Sequence, residues 1–267
     1  MQRRKKHKIF SPIYLTLVLL ILYLPILIVI LYSFNDARTI GSWAGFTTMW
    51  YKRLLSNALM GDALKNSLIL AAWSVGLSGI IGTLGAIGMA RSHFRLKGTL
   101  ETVSTLPMMI PEIILGMAYL AIFSAVGIPL GMPTLVITHT TFCIPYVFIN
   151  VKSRLTGMDP AYEEAARDLG ARPLRVLWDI TLPLLRPAVL SGMLLAFAMS
   201  MDDVVITFFV TGATTTTLPL KVYTGLKSGG TPEINALCTL MLGAVFIIVA
   251  FSQLLSVRSQ KRSQSLQ

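Results

Sequence analysis

Between residues 9 and 34 the chain runs for 26 residues without an Asp, Glu, Lys or Arg. A helix needs about 20 mostly apolar residues to cross the hydrocarbon of a bilayer, so this segment has the length and character of a membrane span. The pattern repeats. Segments 66–90 and 234–257 are also charge-free, and 113–151 is charge-free for 39 residues. That last stretch is too long for one span, and Gly127, Pro129, Gly131 and Pro133 interrupt it, which predicts two helices joined by a tight turn. The first of the two must start near Thr102, because 113–126 alone is too short to cross. Residues 187–220 carry charge only at Asp202 and Asp203 and supply one more span, ending near Val210. The predicted fold is all-α and polytopic, with six transmembrane helices near 11–33, 66–90, 102–126, 133–151, 187–210 and 234–257.

A bilayer solvent accounts for the composition. Hydrophobic residues make up 54% of the chain and charged residues 13%, against about 25% charged in soluble domains. A net charge of +11 raises the question of nucleic-acid binding, but the basic residues fall where topology rules place them. Lys and Arg are retained on the cytoplasmic side of a membrane. With the N-terminus inside, segments 1–10, 91–101, 152–186 and 258–267 are cytoplasmic, and they hold 17 of the 23 Lys and Arg. Both termini are thus expected in the cytoplasm, with the chain an integral membrane protein and no nucleic-acid partner. The run Arg3-Arg4-Lys5-Lys6 reads as a topology anchor. The first span is too long for the core of a signal peptide and lacks a small-residue cleavage site, so it is expected to be retained. Cys143 and Cys238 both fall inside spans, which excludes a disulfide framework and predicts packing thiols.

The outer segment 35–65 contains Trp43, Phe46, Trp50 and Tyr51, which suits an amphipathic stretch at the membrane surface. Segment 152–186 is the longest inner loop and carries helix punctuation twice. Asp159 can cap a helix with Pro160 at its first position, Glu163 and Glu164 sit in the first turns, and Gly170 supplies a stop. A second short helix is expected from Pro173, ending before Pro183. No internal repeat, low-complexity tract or flexible linker is present, so one membrane domain over 1–267 is the expected organisation.

The residues Glu164-Ala165-Ala166-Arg167-Asp168-Leu169-Gly170, followed by Ile180-Thr181-Leu182-Pro183, match every fixed position of the EAA loop. In this loop the chain resembles the permeases of ABC importers. The resemblance implies that Glu163, Glu164, Ala165, Ala166, Leu169 and Gly170 lie on a coupling helix that seats in a cleft of a cytoplasmic ATPase. No segment matches G-x-x-x-x-G-K-[ST], the loop that cradles nucleotide phosphates. ATP is therefore expected on a separate subunit, with no cofactor in this chain, and a second membrane subunit is expected to complete the pathway.

Substrate charge is read from the ionisable groups inside spans, which are costly there and usually face a polar path. Glu112 falls near the middle of span three, and Asp202 and Asp203 fall in the outer half of span five. All three are acids, and no Lys or Arg lies within the apolar spans to neutralise them. A cationic solute suits such a path. The residues leave other readings open: the aspartates as caps of a break in span five or as groups facing the outer water, and Glu112 as a packing residue. Only one of Asp202 and Asp203 can point straight into a path, because neighbours on a helix are about 100° apart. Pro107 and Pro111 kink or break span three just before Glu112. Trp50 and Tyr51 form either a cation–π wall for an ammonium or an interfacial anchor. His139 reads as a hydrogen-bonded core residue, since no second ligand stands at metal spacing beside it. No cluster of nucleophile, base or metal ligands supports an enzyme.

Stretches 46–51, 139–145, 200–205, 218–223 and 233–237 are similar to the PotC family of spermidine/putrescine permeases, and the likeness runs from about Tyr32 to the last span. It implies the six-helix type I importer fold, polyamines as substrate, a PotB-like second permease, a homodimeric PotA-like ATPase and a PotD-like binding protein outside. Glu233, in the last of these stretches, joins the pathway candidates. The chain departs from the family pattern at Glu112, where the pattern has Asp, which keeps the sign of the charge and alters local geometry. The alternatives within the sequence are a permease for another small solute, such as ferric iron, an opine or an amino-acid-like compound, and a self-contained proton-coupled carrier.

Overall fold

A computed structural model describes residues 6–37, 42–92, 95–229, 232–244 and 246–247. Among these, regular structure is helical throughout, apart from one isolated antiparallel bridge between Asn35 and Phe46. Hydrocarbon explains this, because a helix satisfies its backbone groups within one segment. The helices are α1 (Lys6–Tyr32), α2 (Met49–Ser56), α3 (Ala58–Arg91), α4 (Lys97–Thr105), α5 (Glu112–Val126), α6 (Met132–Thr156), α7 (Ala161–Asp168), α8 (Pro173–Val176), α9 (Leu182–Asp202), α10 (Val205–Val210) and α11 (Leu218–Lys227). A further helix, α12, covers 232–244.

Four helices among the described residues are long and apolar enough to cross a membrane, within Tyr14–Tyr32, Ala58–Arg91, Met132–Thr156 and Pro173–Asp202. Lys97–Met108 and Glu112–Val126 are long and apolar enough only when taken as a pair, and they are bent by 101° to one another. The break follows from Pro111, which lacks an N–H and sits in extended backbone ahead of α5 (φ −54°, ψ 134°). Of the sixth expected span, 234–257, the part beyond 247 lies outside the described residues. The chain separates into two compact units, residues 61–221 and residues 1–60 with 222–267.

In the unit 61–221, α6 is the central helix. It buries Leu135, Phe142, Cys143, Val147, Phe148 and Val151. Two glycines bring neighbouring helices onto the same residue. A Cβ at Gly82 of α3 would meet Val147 Cβ at 2.9 Å and the Ile144 carbonyl oxygen at 3.0 Å. A Cβ at Gly192 of α9 would meet Val147 Cα at 2.8 Å. Small residues at such crossings let helix backbones approach where no hydrophobic effect drives association. Cys143 packs in this core with its thiol 3.4 Å from the Ala196 carbonyl oxygen, and both cysteines are free.

The expectation that a second loop helix ends before Pro183 is corrected. The helix starts at Pro173 as expected, but it passes through a π-turn at Leu177–Thr181 directly into α9. Pro183 has no N–H to offer the carbonyl four residues earlier, and the wider π-turn absorbs that mismatch without ending the helix.

The unit 1–60 with 222–267 is organised at its loop by Asn35. This buried side chain donates to the Ser42 carbonyl oxygen at 2.6 Å and accepts from the Ala44 N–H at 2.9 Å. Its own carbonyl accepts the Trp50 indole N–H at 2.7 Å, which fixes the start of α2. Trp50 and Leu54 are the buried face of α2.

Candidate functional site

The α9 helix stops at Asp202, and Asp203 adopts extended backbone (φ −66°, ψ 125°). The Asp203 carboxylate then caps α10. It accepts from the Ile206 N–H at 3.1 Å, the Thr207 N–H at 2.8 Å and the Thr207 hydroxyl at 2.7 Å. These are the orphan donors that any helix start exposes, and an aspartate satisfies them well. His139 of α6 is fully buried beside them. Its Nδ1 is 2.9 Å from Ser200 Oγ, and its Nε2 is 3.0 Å from Thr207 Oγ1 and 3.4 Å from Asp203 Oδ2. The ring therefore joins the end of α9 to the start of α10. Thr134 adds a further tie, donating to the Val210 carbonyl oxygen at 2.9 Å.

Asp202, one residue earlier, is exposed. Glu112 opens α5 on the far side of the break in span three, and it too is exposed. It lies within electrostatic reach of Asp203 and Asp202, and Tyr146 of α6 lies within reach of it. Gly116 permits this convergence of α5 and α10. A Cβ there would meet the Phe209 ring at 2.6 Å and Ile206 Cα at 3.3 Å. The structure thus gathers the three acids singled out in the sequence at two facing helix breaks.

The other pathway candidates belong to the unit 1–60 with 222–267. The Trp50 indole N–H is engaged by Asn35, and the Arg53 guanidinium lies 5.2 Å from its ring centre. The Tyr51 hydroxyl is 2.6 Å from Ser33 Oγ, and its ring lies 5.1 Å from Phe34, which stacks on Phe46 at 5.3 Å. Glu233 accepts from Asn57 Nδ2 at 2.7 Å.

The loop after α6 carries a second arrangement. Asp159 accepts the Ala161 N–H at 3.0 Å and caps α7. Gly170 ends it in the left-handed region (φ +81°), with the Ala171 N–H returning to the Ala166 carbonyl oxygen at 3.0 Å. Glu164 and Ala165 are exposed, Ala166 is half-buried, and Leu169 is 89% exposed. Leu174 and Trp178 are exposed nearby. Exposed apolar side chains grouped in this way mark a protein or membrane contact.

Glu163 points the other way. It accepts from the Arg91 guanidinium at the end of α3, from Thr181 Oγ1 at 2.7 Å and from Arg167 at 3.1 Å. Partial burial works against its carboxylate, but the Thr181 hydroxyl and the Arg91 and Arg167 guanidinium groups outweigh this and hold its pKa below the ordinary glutamate range. A depressed folded-state pKa stabilises the loop above the unfolded value, and the contribution is lost as pH falls through the folded value. Glu163→Gln is expected to lower amide protection across α7 by roughly 10-fold at neutral pH. Hydrogen-exchange protection factors measured over a pH series check this, since the parental protein should converge on the variant in acid. Sequence reasoning placed Glu163 with the coupling residues and missed the clamp, because Arg91 and Thr181 are distant in the chain.

Among the described residues, no group of three His, Cys, Asp or Glu is arranged to hold a metal. Residues 78–262 match the family described as binding-protein-dependent transport system inner membrane component. The putrescine transport system permease protein PotI of Escherichia coli is 42% identical over 248 residues, covering 90% of this chain and 88% of that protein. The spermidine/putrescine transport system permease protein PotC of Escherichia coli is 42% identical over 243 residues, covering 91% and 92%. PotC of Haemophilus influenzae is 43% identical over 235 residues, covering 88% and 91%. A chain of a bacterial ABC transporter that imports the acidic polysaccharide alginate superposes with a TM-score of 0.75 at 18% identity, covering 95% of this chain and 97% of that one. A chain of the MetNI methionine ABC transporter, in an inward-facing conformation, superposes with a TM-score of 0.59 at 18% identity, covering 75% and 95%. The chain belongs to the family of binding-protein-dependent transport system inner membrane components, the transport subunits of ABC importers, and has their type I permease fold.

Proposed function

We propose that this permease carries polyamines, putrescine or spermidine, into the cytoplasm. The observation that carries the reading is the convergence of Glu112, Asp202 and Asp203 at two helix breaks. Among the described residues no Lys or Arg pairs with any of them. The fold itself does not set the charge of the solute, because it also serves an importer of an acidic polysaccharide. The acids do. In this reading Glu112 and Asp202 receive the ammonium groups, while Asp203 and His139 hold the break that presents them.

The partners follow the same reading. A PotD-like binding protein delivers the substrate from outside, and a PotB-like permease completes the pathway. A homodimeric PotA-like ATPase binds ATP and seats α7, so that closure of the ATPase drives the path from outward to inward. Both termini lie in the cytoplasm. The relatives named for putrescine and spermidine transport support this assignment.

The test is polyamine uptake in cells lacking other polyamine importers, with membrane abundance measured alongside. A hydrogen bond to a charged group contributes about 1.5 to 3 kcal/mol, so Glu112→Gln and Asp202→Asn should each slow uptake by roughly 10- to 100-fold at parental abundance. Asp203→Asn should also reduce abundance, because the capping carboxylate is buried. Parental uptake by all three variants at parental levels would leave the acids without a role in transport.

A further inference from the structure

A polar notch of about 580 Å³ lies between α4 and α6, apart from the acids at the helix breaks. Glu101, Thr102 and Thr105 of α4 line one side, and Phe148, Lys152 and Thr156 of α6 line the other. Lys152 Nζ lies 2.8 Å from Glu101 Oε2 and 6.0 Å from the centre of the Phe148 ring. The three threonine hydroxyls donate to carbonyls of their own helices. Each retains acceptor capacity for a further donor. A carboxylate beside hydroxyl acceptors is a receptor for an alkylammonium ion. The group held there is one, since lysine carries a primary ammonium on a four-carbon stem.

The notch also continues the line of acids. His139, Tyr146 and Ser153 recur every seven residues on α6 and so share a face, about 10 Å apart. His139 meets Asp203, Tyr146 lies within reach of Glu112, and Ser153 lines the notch that holds Glu101. Carboxylates therefore occur at three levels down this helix, toward the end that leads into α7. We infer that Glu101 and the threonine hydroxyls of the notch form an exit subsite for the terminal ammonium of an alkylamine, with Lys152 as a tethered stand-in that the substrate displaces and that then displaces the substrate. This inference rests on the polyamine reading above.

The test is putrescine uptake in cells lacking other polyamine importers, either unloaded or preloaded with putrescine, with the abundance of each variant measured. If the parental complex takes up neither putrescine nor spermidine, the polyamine reading fails and this one with it, and if it carries spermidine alone the same assays are run with spermidine. If it carries either, the variants judge the subsite alone. Glu101→Gln should lower uptake about 3- to 10-fold at parental abundance. Lys152→Met leaves the carboxylate without the group that displaces the substrate, so release slows and uptake into unloaded cells should fall about 2- to 5-fold at parental abundance. Its inhibition by internal putrescine should become several-fold stronger, and Lys152→Arg should restore parental behaviour. Equal losses in Glu101→Gln and Lys152→Met, with parental sensitivity to internal putrescine, would show an ion pair that only ties α4 to α6. Parental uptake by Glu101→Gln would overturn the subsite as well. Should Glu101→Gln be lost from the membrane, the response of Lys152→Met to preloading decides alone.

Discussion

Gly192→Val is expected to remove the folded permease from the membrane, with abundance below roughly a tenth of parental, a loss that overpacking of more than about 1.4 kcal/mol would produce. The added Cβ would lie 2.8 Å from Val147 Cα, and a backbone atom cannot turn aside as a flexible side chain can. Val147 is itself fully buried and held from the other side by α3 at Gly82, so α6 has no room to retreat. Gly82→Val should have the same outcome. Gly88→Ala is the control on the same helix, because a Cβ there meets nothing within 4 Å. Immunoblotting of membranes and thermal melting of the purified complex would check this. Parental levels of Gly192→Val would mean that the α6–α9 crossing is looser than the structure shows.

Gly170→Val is expected to reduce ATP hydrolysis stimulated by loaded binding protein to its basal level while leaving insertion and assembly intact. Valine is strained at φ +81°. A non-glycine residue in the left-handed region costs about 1 to 2 kcal/mol, more with a branched Cβ. The end of α7 would unwind and the exposed surface around Leu169 would change shape. Gly170→Asn separates strain from clearance, since asparagine tolerates this region and a Cβ here meets nothing within 4 Å of the same chain. Stimulated hydrolysis retained in Asn and lost in Val assigns the effect to the turn. Loss in both assigns it to close approach of the ATPase. Normal stimulation in Val would sink the assignment of this loop to coupling.

Local rules made much of this legible in the sequence. The lengths of the charge-free runs marked the spans, Gly127 and the prolines after it marked the turn between α5 and α6, and Asp159 and Gly170 marked the two ends of α7. Each depends on residues within a few positions of one another. Pro183 misled for the same reason. Read locally it stops a helix, but the π-turn before it lets the helix continue. A capping aspartate at the break in span five was readable, since Asp203 meets N–H groups three and four residues on, but which of the pair caps it was beyond local rules. That choice depends on His139 and Ser200 meeting across two helices, 61 residues apart in the chain. The Glu163 clamp spans 72 residues to Arg91, and no periodicity announces such a pair.

The uninterrupted helix from Pro173 to Asp202 has a mechanical consequence. Thirty residues of helix make a rod about 45 Å long, with the exposed Leu174 and Trp178 near one end and Asp202 at the other. Pivoted near its Pro173 end, such a rod tilted by about 5° would swing the Asp202 carboxylate through roughly 4 Å, enough to break a hydrogen bond or make a new one. A small displacement imposed at the Pro173 end is thereby magnified at Asp202. The π-turn, with its looser hydrogen bonding, is the compliant joint in this lever, so its stiffness sets how much of the stroke reaches the far end.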